Sequence, residues 1–300
     1  MGSRLEDRQI GRVRVLFGAA GGKYPDGNSL LVEGREESLV IDPALGLVSR
    51  GAAKPPVDRV LNSHCHEDHI AGNFLYPDVP WCLHEADAIG LHSLAGMMEI
   101  YGFTGAIAEG FEEVLVHQFN YQARSDVQTF RDGDVFDLGG TSVRVLHAPG
   151  HTRGHCVFHI EPEDVIYLAD IDLSGFGPYY GDAWSDLEDF DRTLDWVSKL
   201  RARHYATFHH IGVLDGFDAF RDRLDRFWAM IPDRERRLME LLSEPRSLNE
   251  IAEAHLIYSR GTPPSFAPSV ERRSMSQHLD RLMGSGRVEQ IDEDRYRALD

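Results

Sequence analysis

Cysteine is scarce in this chain of 300 residues, and no long apolar run is present. The three cysteines are an odd number without a CxxC spacing, so the sequence carries no disulfide framework and favours a reducing compartment. No segment approaches the ~20 consecutive apolar residues of a membrane-spanning helix. The first residues alternate charges instead of forming the apolar stretch of a signal peptide. We therefore expect a cytoplasmic protein that neither spans a membrane nor is exported by a signal peptide.

Basic residues are also few relative to acidic ones, 31 against 49, which gives a formal net charge of −18. A surface of that sign repels polyanions unless a local basic patch overrides it, so nucleic-acid binding is disfavoured. Hydrophobic residues make up 42% of the chain and charged residues 27%, the balance of a globular protein with a sizeable core. Disorder, collagen and coiled coil are excluded.

Short apolar runs separated by turn residues open the chain. The segments RVRVLF, SLLVEG and SLVID predict antiparallel strands between positions 11 and 42. Later strands, in SVRVLHA, HCVFHIE and DVIYLAD, each end near a histidine or an aspartate. Residues that can do chemistry therefore recur at strand ends.

The pattern changes after Ile231-Pro232, which is expected to break a helix over 217–230. Three helices follow, over 234–242, 248–254 and 275–283, and then two short strands around a DED turn. This order predicts a winged helix. We therefore divide the chain into a larger domain, residues 1–230, and a winged-helix-like domain, residues 231–300. The smaller part has 11 basic and 13 acidic residues, so the acidity belongs to the larger one.

Three imidazoles and two carboxylates occur within the six residues HCHEDH at positions 64–69. Neutral imidazole is a preferred nitrogen ligand of zinc and similar divalent ions, and a carboxylate supplies a hard oxygen. In an extended segment His64 and His66 point the same way, while Asp68 and His69 turn toward a second position. The same alternation turns the Cys65 thiol away. One segment could thus serve two metal ions.

The pattern HxHxDH followed by IAGN after a strand resembles the metallo-β-lactamase superfamily of dinuclear metallohydrolases, and the match extends over about residues 11–230. The resemblance implies an α+β fold, the αββα sandwich of that family, with the winged-helix-like domain following it. It also implies three further ligands, each at the end of a strand.

These further ligands can be placed by following the family's order along the chain. His151 stands after Pro-Gly in the third motif, and Asp170 ends VIYLAD in the place of the aspartate that bridges both metals. The last ligand is a histidine after a further strand, where TFHHIG offers both His209 and His210. We choose His210, because Phe208 then stands where the family usually has the final residue of the strand turn.

The resemblance thus implies two divalent metal ions per chain, sharing seven ligands. They are His64, His66 and His151 for one ion, Asp68, His69 and His210 for the other, and Asp170 for both. Asp68 and Asp170 are also the catalytic candidates, because two cations sharing a water make a hydroxide nucleophile at neutral pH and Asp68 can orient it. Zinc is the expected metal, and the donor set also suits iron or manganese.

Other residues near these motifs have weaker claims. His155 lies at the start of a strand, which favours a place outside the ligand set. The loop SGFGPYYGDAW after Asp170 carries aromatic residues that either wall an apolar pocket or pack against the helical stretch at 85–117. Arg153, beside His151-Thr152, could meet a substrate anion, although an exposed arginine at a strand edge is an equal explanation. The substrate-binding residues stay unassigned.

We expect a dinuclear metal-dependent hydrolase that uses a metal-bridging hydroxide on a small ester, thioester or lactone. The alternative is a metal-dependent single-strand endoribonuclease, since enzymes of both kinds carry a winged helix after this family's domain. A metal-dependent regulator without turnover is a third class. The arginines of the third C-terminal helix are offset by acids, so we expect that domain to act as a lid or in a homodimer rather than on nucleic acid.

Overall fold

The computed structural model describes residues 6–258 and 263–299. Its first sheet has seven strands in chain order, antiparallel from the first to the fourth and parallel from there to the last. These strands are β1 (Arg8–Ile10), β2 (Val13–Leu16), β3 (Ser29–Glu33), β4 (Ser38–Ile41), β5 (Arg59–Leu61), β6 (Trp81–His84) and β7 (Gln128–Phe130).

The second sheet has six strands, again neighbours in chain order. They are β8 (Val135–Asp137), β9 (Ser142–His147), β10 (Cys156–Glu161), β11 (Val165–Tyr167), β12 (His204–Ala206) and β13 (Val213–Asp215). All pairs are antiparallel except β11 with β12. The parallel pair requires a crossover connection, and a helix lies within it.

Seven α-helices precede the C-terminal segment in the described residues. They are α1 (Leu45–Val48), α2 (Glu67–Ile70), α3 (Ile89–His92), α4 (Leu94–Tyr101), α5 (Gly105–His117), α6 (Leu187–Val197) and α7 (Phe217–Trp228). Helix α6 shows why such segments are helical: four apolar residues at a spacing of three or four are buried on one side, and the Asp186 carboxylate accepts a hydrogen bond from the N–H of Asp189 at 2.8 Å.

Alternation along the strands builds the layers. In β3, Leu30 belongs to the cluster between the two sheets, which also contains Phe158 and Tyr167 of the second sheet, while Leu31 lies in a cluster on the opposite face of its own sheet. The far face of the second sheet packs against α6 and α7 through Phe190 and Phe220. Each such side chain stabilises the fold by about 1.5–3 kcal/mol on burial. The expected mixed α+β fold with two packed sheets is confirmed.

The C-terminal segment contains three helices and a three-stranded sheet. These are α8 (Met230–Leu241), α9 (Leu248–Glu253) and α10 (Ala267–Gly284), with β14 (Arg246–Ser247), β15 (Val288–Asp292) and β16 (Arg295–Ala298) in the order β14-β16-β15. The division of the chain near residue 231 stays a prediction.

Two predicted helix boundaries are displaced in the structure. The break expected at Ile231-Pro232 lies at Ala229, between α7 and α8, and Pro232 lies in the first turn of α8, where its missing N–H leaves no intrahelical bond unmade. Helix α10 begins at Ala267, before the predicted start at 275, because Pro268 occupies its first turn. None of the described helices is both long enough and apolar enough to cross a membrane.

Candidate metal centre

The HCHEDH segment forms the turn between strand β5 and the short helix α2. His66 is extended, with φ −60° and ψ 151°, and the helix starts at the next residue, so Asp68 and His69 project from its first turn. Cys65 points the other way, into an apolar cluster with Leu83 of β6. The change from extended to helical backbone therefore directs the two pairs of ligand candidates to different places.

Four buried or nearly buried residues form the first cluster: His64, His66, His151 and Asp170. One ligand atom of each lies within 4.8 Å of the others. His151 follows Gly150, whose φ of 127° favours glycine and where a Cβ would lie 2.3 Å from the backbone of Phe190. This close approach of the loop to α6 brings the His151 imidazole to the others, with its Nε2 3.2 Å from His64 Nε2.

The second cluster consists of Asp68, His69 and His209, again with ligand atoms within 4.8 Å of one another. Asp68 Oδ2 lies 3.0 Å from His209 Nε2. The Asp170 carboxylate lies between the clusters: Oδ1 is 2.8 Å from His69 Nε2, and Oδ2 is 3.1 Å from His151 Nε2. One carboxylate therefore faces both groups, as a bridging ligand does.

His209, not His210, belongs to the second cluster, which corrects the choice made from the sequence. His209 is 7% exposed and its Nδ1 donates to the carbonyl of Gly22 at 2.7 Å. His210 has a φ of 58°, and its side chain is directed away from the second cluster, with Nε2 3.8 Å from Asp172 Oδ2. The sequence could not reveal this left-handed residue, because either histidine is compatible with the end of a strand.

The donor atoms of the two clusters fit divalent cations. His69 Nε2 and Asp170 Oδ1 are buried and 2.8 Å apart, yet neither atom has a hydrogen-bond partner. Their relative orientation is therefore not that of an N–H donor and its acceptor. The facing Nε2 atoms of His64 and His151 likewise need something positive between them, or a single shared proton. Three or four nitrogen and oxygen donors per cluster are what zinc and related ions bind.

Hydrogen bonds hold the imidazoles from behind. Asp42 accepts bonds from the N–H of Ser63 at 2.7 Å and from the hydroxyl of Tyr167 at 2.7 Å, and its Oδ2 is 2.8 Å from His69 Nδ1. His151 Nδ1 lies 2.9 Å from the carbonyl of Tyr179. Such contacts fix the tautomer of a histidine and leave its other nitrogen free for a metal.

The charges of the clusters are strongly coupled. Burial would raise the pKa of Asp170, but His69 and His151 hold that pKa well below its ordinary value. Burial would lower the pKa of His209, but its hydrogen bond with Asp68 brings that pKa to about 9. Without a cation, protons on the imidazoles neutralise the carboxylates, and a bound cation would take over that role.

His155 lies outside both clusters. It is fully buried, with Nδ1 2.9 Å from the carbonyl of Ala148, and its Nε2 accepts a bond from the N–H of Asp170 at 3.3 Å. Burial lowers the pKa of His155 to about 3. It can therefore support Asp170 as a neutral imidazole without reaching an ion.

Two buried acids beside the centre are not among the predicted site residues. Asp182 is 2% exposed, 3.1 Å from His66 Nε2, and accepts a bond from the hydroxyl of Tyr179 at 3.0 Å. Glu67, which lies within HCHEDH, accepts bonds from the hydroxyls of Tyr24, at 3.0 Å, and Tyr101. Tyr179 is a neighbour of Asp182 in the chain, but the other three partners come from distant segments, so no local pattern could have indicated those contacts.

A cavity of about 740 Å³ opens at the two clusters. His66, Asp68, His151, Asp170 and His209 all line it, and so do several aromatic side chains. The volume lies in the range of sites that take small organic ligands. Two cations held by the clusters would therefore face a substrate that is bound in this largely apolar cavity.

Comparison with known proteins agrees with this geometry. Residues 24–210 match the metallo-beta-lactamase superfamily. An acyl-coenzyme A thioesterase of Homo sapiens is 27% identical over 215 residues, which cover 62% of this chain and 76% of that protein. A hydroxyacylglutathione hydrolase of Methylococcus capsulatus is 26% identical over 228 residues, 72% of this chain and 77% of that protein. A solved metallo-beta-lactamase family protein from Thermus thermophilus has a TM-score of 0.70 at 24% identity, over 96% of this chain and 99% of that one.

The two packed sheets and the two clusters of ligand candidates fit a metal-dependent hydrolase. The chain belongs to the metallo-beta-lactamase superfamily, as the resemblance in its sequence implied. The acyl-coenzyme A thioesterase and the hydroxyacylglutathione hydrolase act on ester-type bonds, so the prediction of a hydrolase of that class is confirmed.

Proposed function

We propose that this chain hydrolyses a small acyl ester or thioester at two divalent ions, a lactone being the cyclic case of the same chemistry. The observation that carries the proposal is the Asp170 carboxylate, which faces one ligand cluster with each oxygen at the cavity. The acyl-coenzyme A thioesterase and the hydroxyacylglutathione hydrolase among the similar proteins support the choice of bond.

The ligand residues would hold the ions, and the ions would supply a water of lowered pKa and polarise the substrate carbonyl. His64, His66 and His151 would hold one ion and Asp68, His69 and His209 the other, with Asp170 shared. The Asp68 carboxylate lines the cavity, so it can also accept the proton of the attacking water.

The chain does not need a nucleophile of its own for this reaction. Cys65 is fully buried in an apolar cluster, and burial raises the pKa of its thiol well above the ordinary value. The Ser63 hydroxyl is buried and bonded to the Asp42 carboxylate. Neither side chain lines the cavity.

A direct assay tests the function. The purified chain is freed of metal with a chelator, reloaded with zinc, manganese or iron, and supplied with model esters, acyl thioesters and lactones on one side and single-stranded RNA on the other. We expect acid or thiol release that requires metal and is lost in Asp170→Ala. Metal-dependent cleavage of RNA without ester or thioester turnover would establish the ribonuclease instead.

We further propose that the C-terminal helices and sheet form a winged helix that does not bind nucleic acid. Its arginines are engaged within the chain: Arg272 donates to Asn249, Arg273 to the carbonyl of Tyr101 at 2.7 Å, and Arg281 to Glu188 at 2.5 Å. Phosphate contacts require cations that are free to face the backbone of the nucleic acid.

Zinc as the native metal, a cytoplasmic location and a homodimer belong to the same proposal. Nitrogen-rich ligand sets with carboxylates are the usual zinc sites, although iron and manganese accept similar donors. The three cysteines are free and buried, which suits a reducing compartment. Metal analysis of the purified protein and its mass in solution test the first and the last.

A further inference from the structure

One side of the cavity is built almost entirely of aromatic rings. We call it the aromatic wall. It consists of Tyr101, Phe103, Phe111, Phe176, Tyr258 and Phe266. Three separate parts of the chain supply these rings: the α4–α5 region, the loop after β11 and the C-terminal segment.

The rings of the wall pack in two groups. Phe103 stacks on Phe266 with a centroid distance of 5.6 Å, and Phe111 meets both rings, at 5.0 and 5.7 Å. Phe176 and Tyr258 form a separate pair, with their centroids 5.5 Å apart. Aromatic pairs at such distances are mutually stabilising, so each group is a preformed surface.

The wall joins the metal centre at Tyr101. Its ring stacks on the imidazole of His66 at 5.1 Å with an interplanar angle of 19°. A ligand that lies against the wall therefore has one end at the two clusters. This is where the carbonyl of a substrate must be for hydrolysis.

The wall offers few hydrogen bonds to a ligand. Most of its members are phenylalanines, and the hydroxyl of Tyr101 is already bonded to Glu67. Tyr179, beside the wall, directs its hydroxyl to Asp182 at 3.0 Å. Ring faces and edges are left for contact, which favours an apolar ligand over a sugar or a nucleotide.

We propose that the aromatic wall binds the acyl chain of the substrate, an apolar group, and that Phe266 and Tyr258 determine how long that chain is. This inference rests on the proposed function, because it assigns the acyl part of the same substrate. It gives the C-terminal segment a part in selectivity. Each methylene moved from water to the wall should improve binding about fourfold.

The test compares thioesters of one thiol, N-acetylcysteamine, that carry acetyl, butyryl or octanoyl groups. The metal-loaded full chain should have a kcat/KM for the octanoyl thioester that is on the order of 100-fold higher than that for the butyryl thioester. Phe266→Ala should lose about tenfold on the octanoyl ester and stay within about twofold on the acetyl ester. Phe217→Ala is the matched control, because Phe217 is also partly buried but packs against Phe220 on α7, away from the cavity lining.

Failure of the inference can be told apart from failure of the proposed function. If no thioester is hydrolysed, the proposed function fails, and binding of the non-hydrolysable S-octyl thioether, measured by titration calorimetry, still tests the wall. Weaker binding in Phe266→Ala than in Phe217→Ala supports the acyl site. Equal binding in the two variants and the parent chain overturns it.

A second variant covers the case in which Phe266→Ala does not fold. Phe266→Trp keeps an aromatic surface and narrows the cavity, so the preferred acyl chain should become shorter while the acetyl ester is unaffected. A profile against chain length that is flat in the parent, or identical in the parent and Phe266→Trp, would refute the assignment.

Discussion

Replacing His209 with alanine should remove the second ion of the candidate centre, whereas the same change at His210 should leave it in place. His209 is one of three side chains in the second cluster and lies 3.0 Å from Asp68, while His210 is directed to Asp172 and is 36% exposed at its side chain. Loss of a residue that only supports a ligand typically costs 10- to 100-fold in metal affinity. Loss of a ligand should cost about 100-fold or more, which corresponds to about 2.7 kcal/mol.

The two substitutions form a matched pair. Alanine has a Cβ, as histidine does, so His210→Ala leaves the backbone strain of the positive φ at position 210 unchanged. The assay is metal content per chain after zinc reconstitution and dialysis, with thermal unfolding to verify that each variant folds. We expect about two ions in the parent and in His210→Ala and about one in His209→Ala. If His210→Ala loses an ion and His209→Ala keeps both, the assignment to His209 is wrong.

Three further predictions concern other parts of the molecule. Asp170→Ala should abolish esterase activity at matched folding, whereas His155→Ala, which removes only a support, should cost about 10- to 100-fold; equal losses would bring His155 into the ligand set. Arg234→Met should lower the free energy of unfolding, measured by heat or urea, by about 3–5 kcal/mol, because it leaves the buried carbonyls of a loop without their donor. The control Arg236→Met, which removes only exposed ion pairs on the same helix, should change it by about 1 kcal/mol or less. Similar losses in the two variants would mean that the buried hydrogen bonds of Arg234 are unimportant. Titration with single-stranded RNA and duplex DNA at about 50 and 200 mM salt should show only weak binding, and submicromolar, salt-sensitive binding would contradict that expectation.

Local motifs carried most of what the sequence reveals about this protein. In HCHEDH the change from strand to helix is enough to direct the two pairs of ligand candidates to different places, and both elements can be predicted from short stretches of sequence. His151 and Asp170 were predicted from the resemblance to the family, whose motifs place a histidine after Pro-Gly and an aspartate at a strand end. Where placement depended on backbone torsion, as at His210 with its φ of 58°, the residue types alone were insufficient.

The loop after Asp170 shows the limit of periodicity in another way. Its aromatic residues were expected either to wall a pocket or to pack, and the structure divides them. Phe176 and Tyr179 line the cavity, whereas Tyr180 is buried under Arg234 and Trp184 lies beneath the guanidinium of Arg153 at 4.1 Å. An irregular loop has no repeating pattern that separates the two roles, so only its tertiary contacts decide them.

The C-terminal segment, which completes the aromatic wall, also supports a ligand candidate through its helices. Arg234 of α8 donates to the carbonyls of Phe176 and Pro178, at 2.7 and 2.5 Å, and thereby holds the loop whose next carbonyl, that of Tyr179, meets His151 Nδ1. His278 of α10 is 2.8 Å from the Tyr180 hydroxyl and holds the loop from the other side. The orientation of His151 therefore depends on contacts made outside the residues that match the superfamily. A change in the packing of these helices would therefore affect the candidate metal centre and the proposed acyl-chain site together, because the same loop contributes to both.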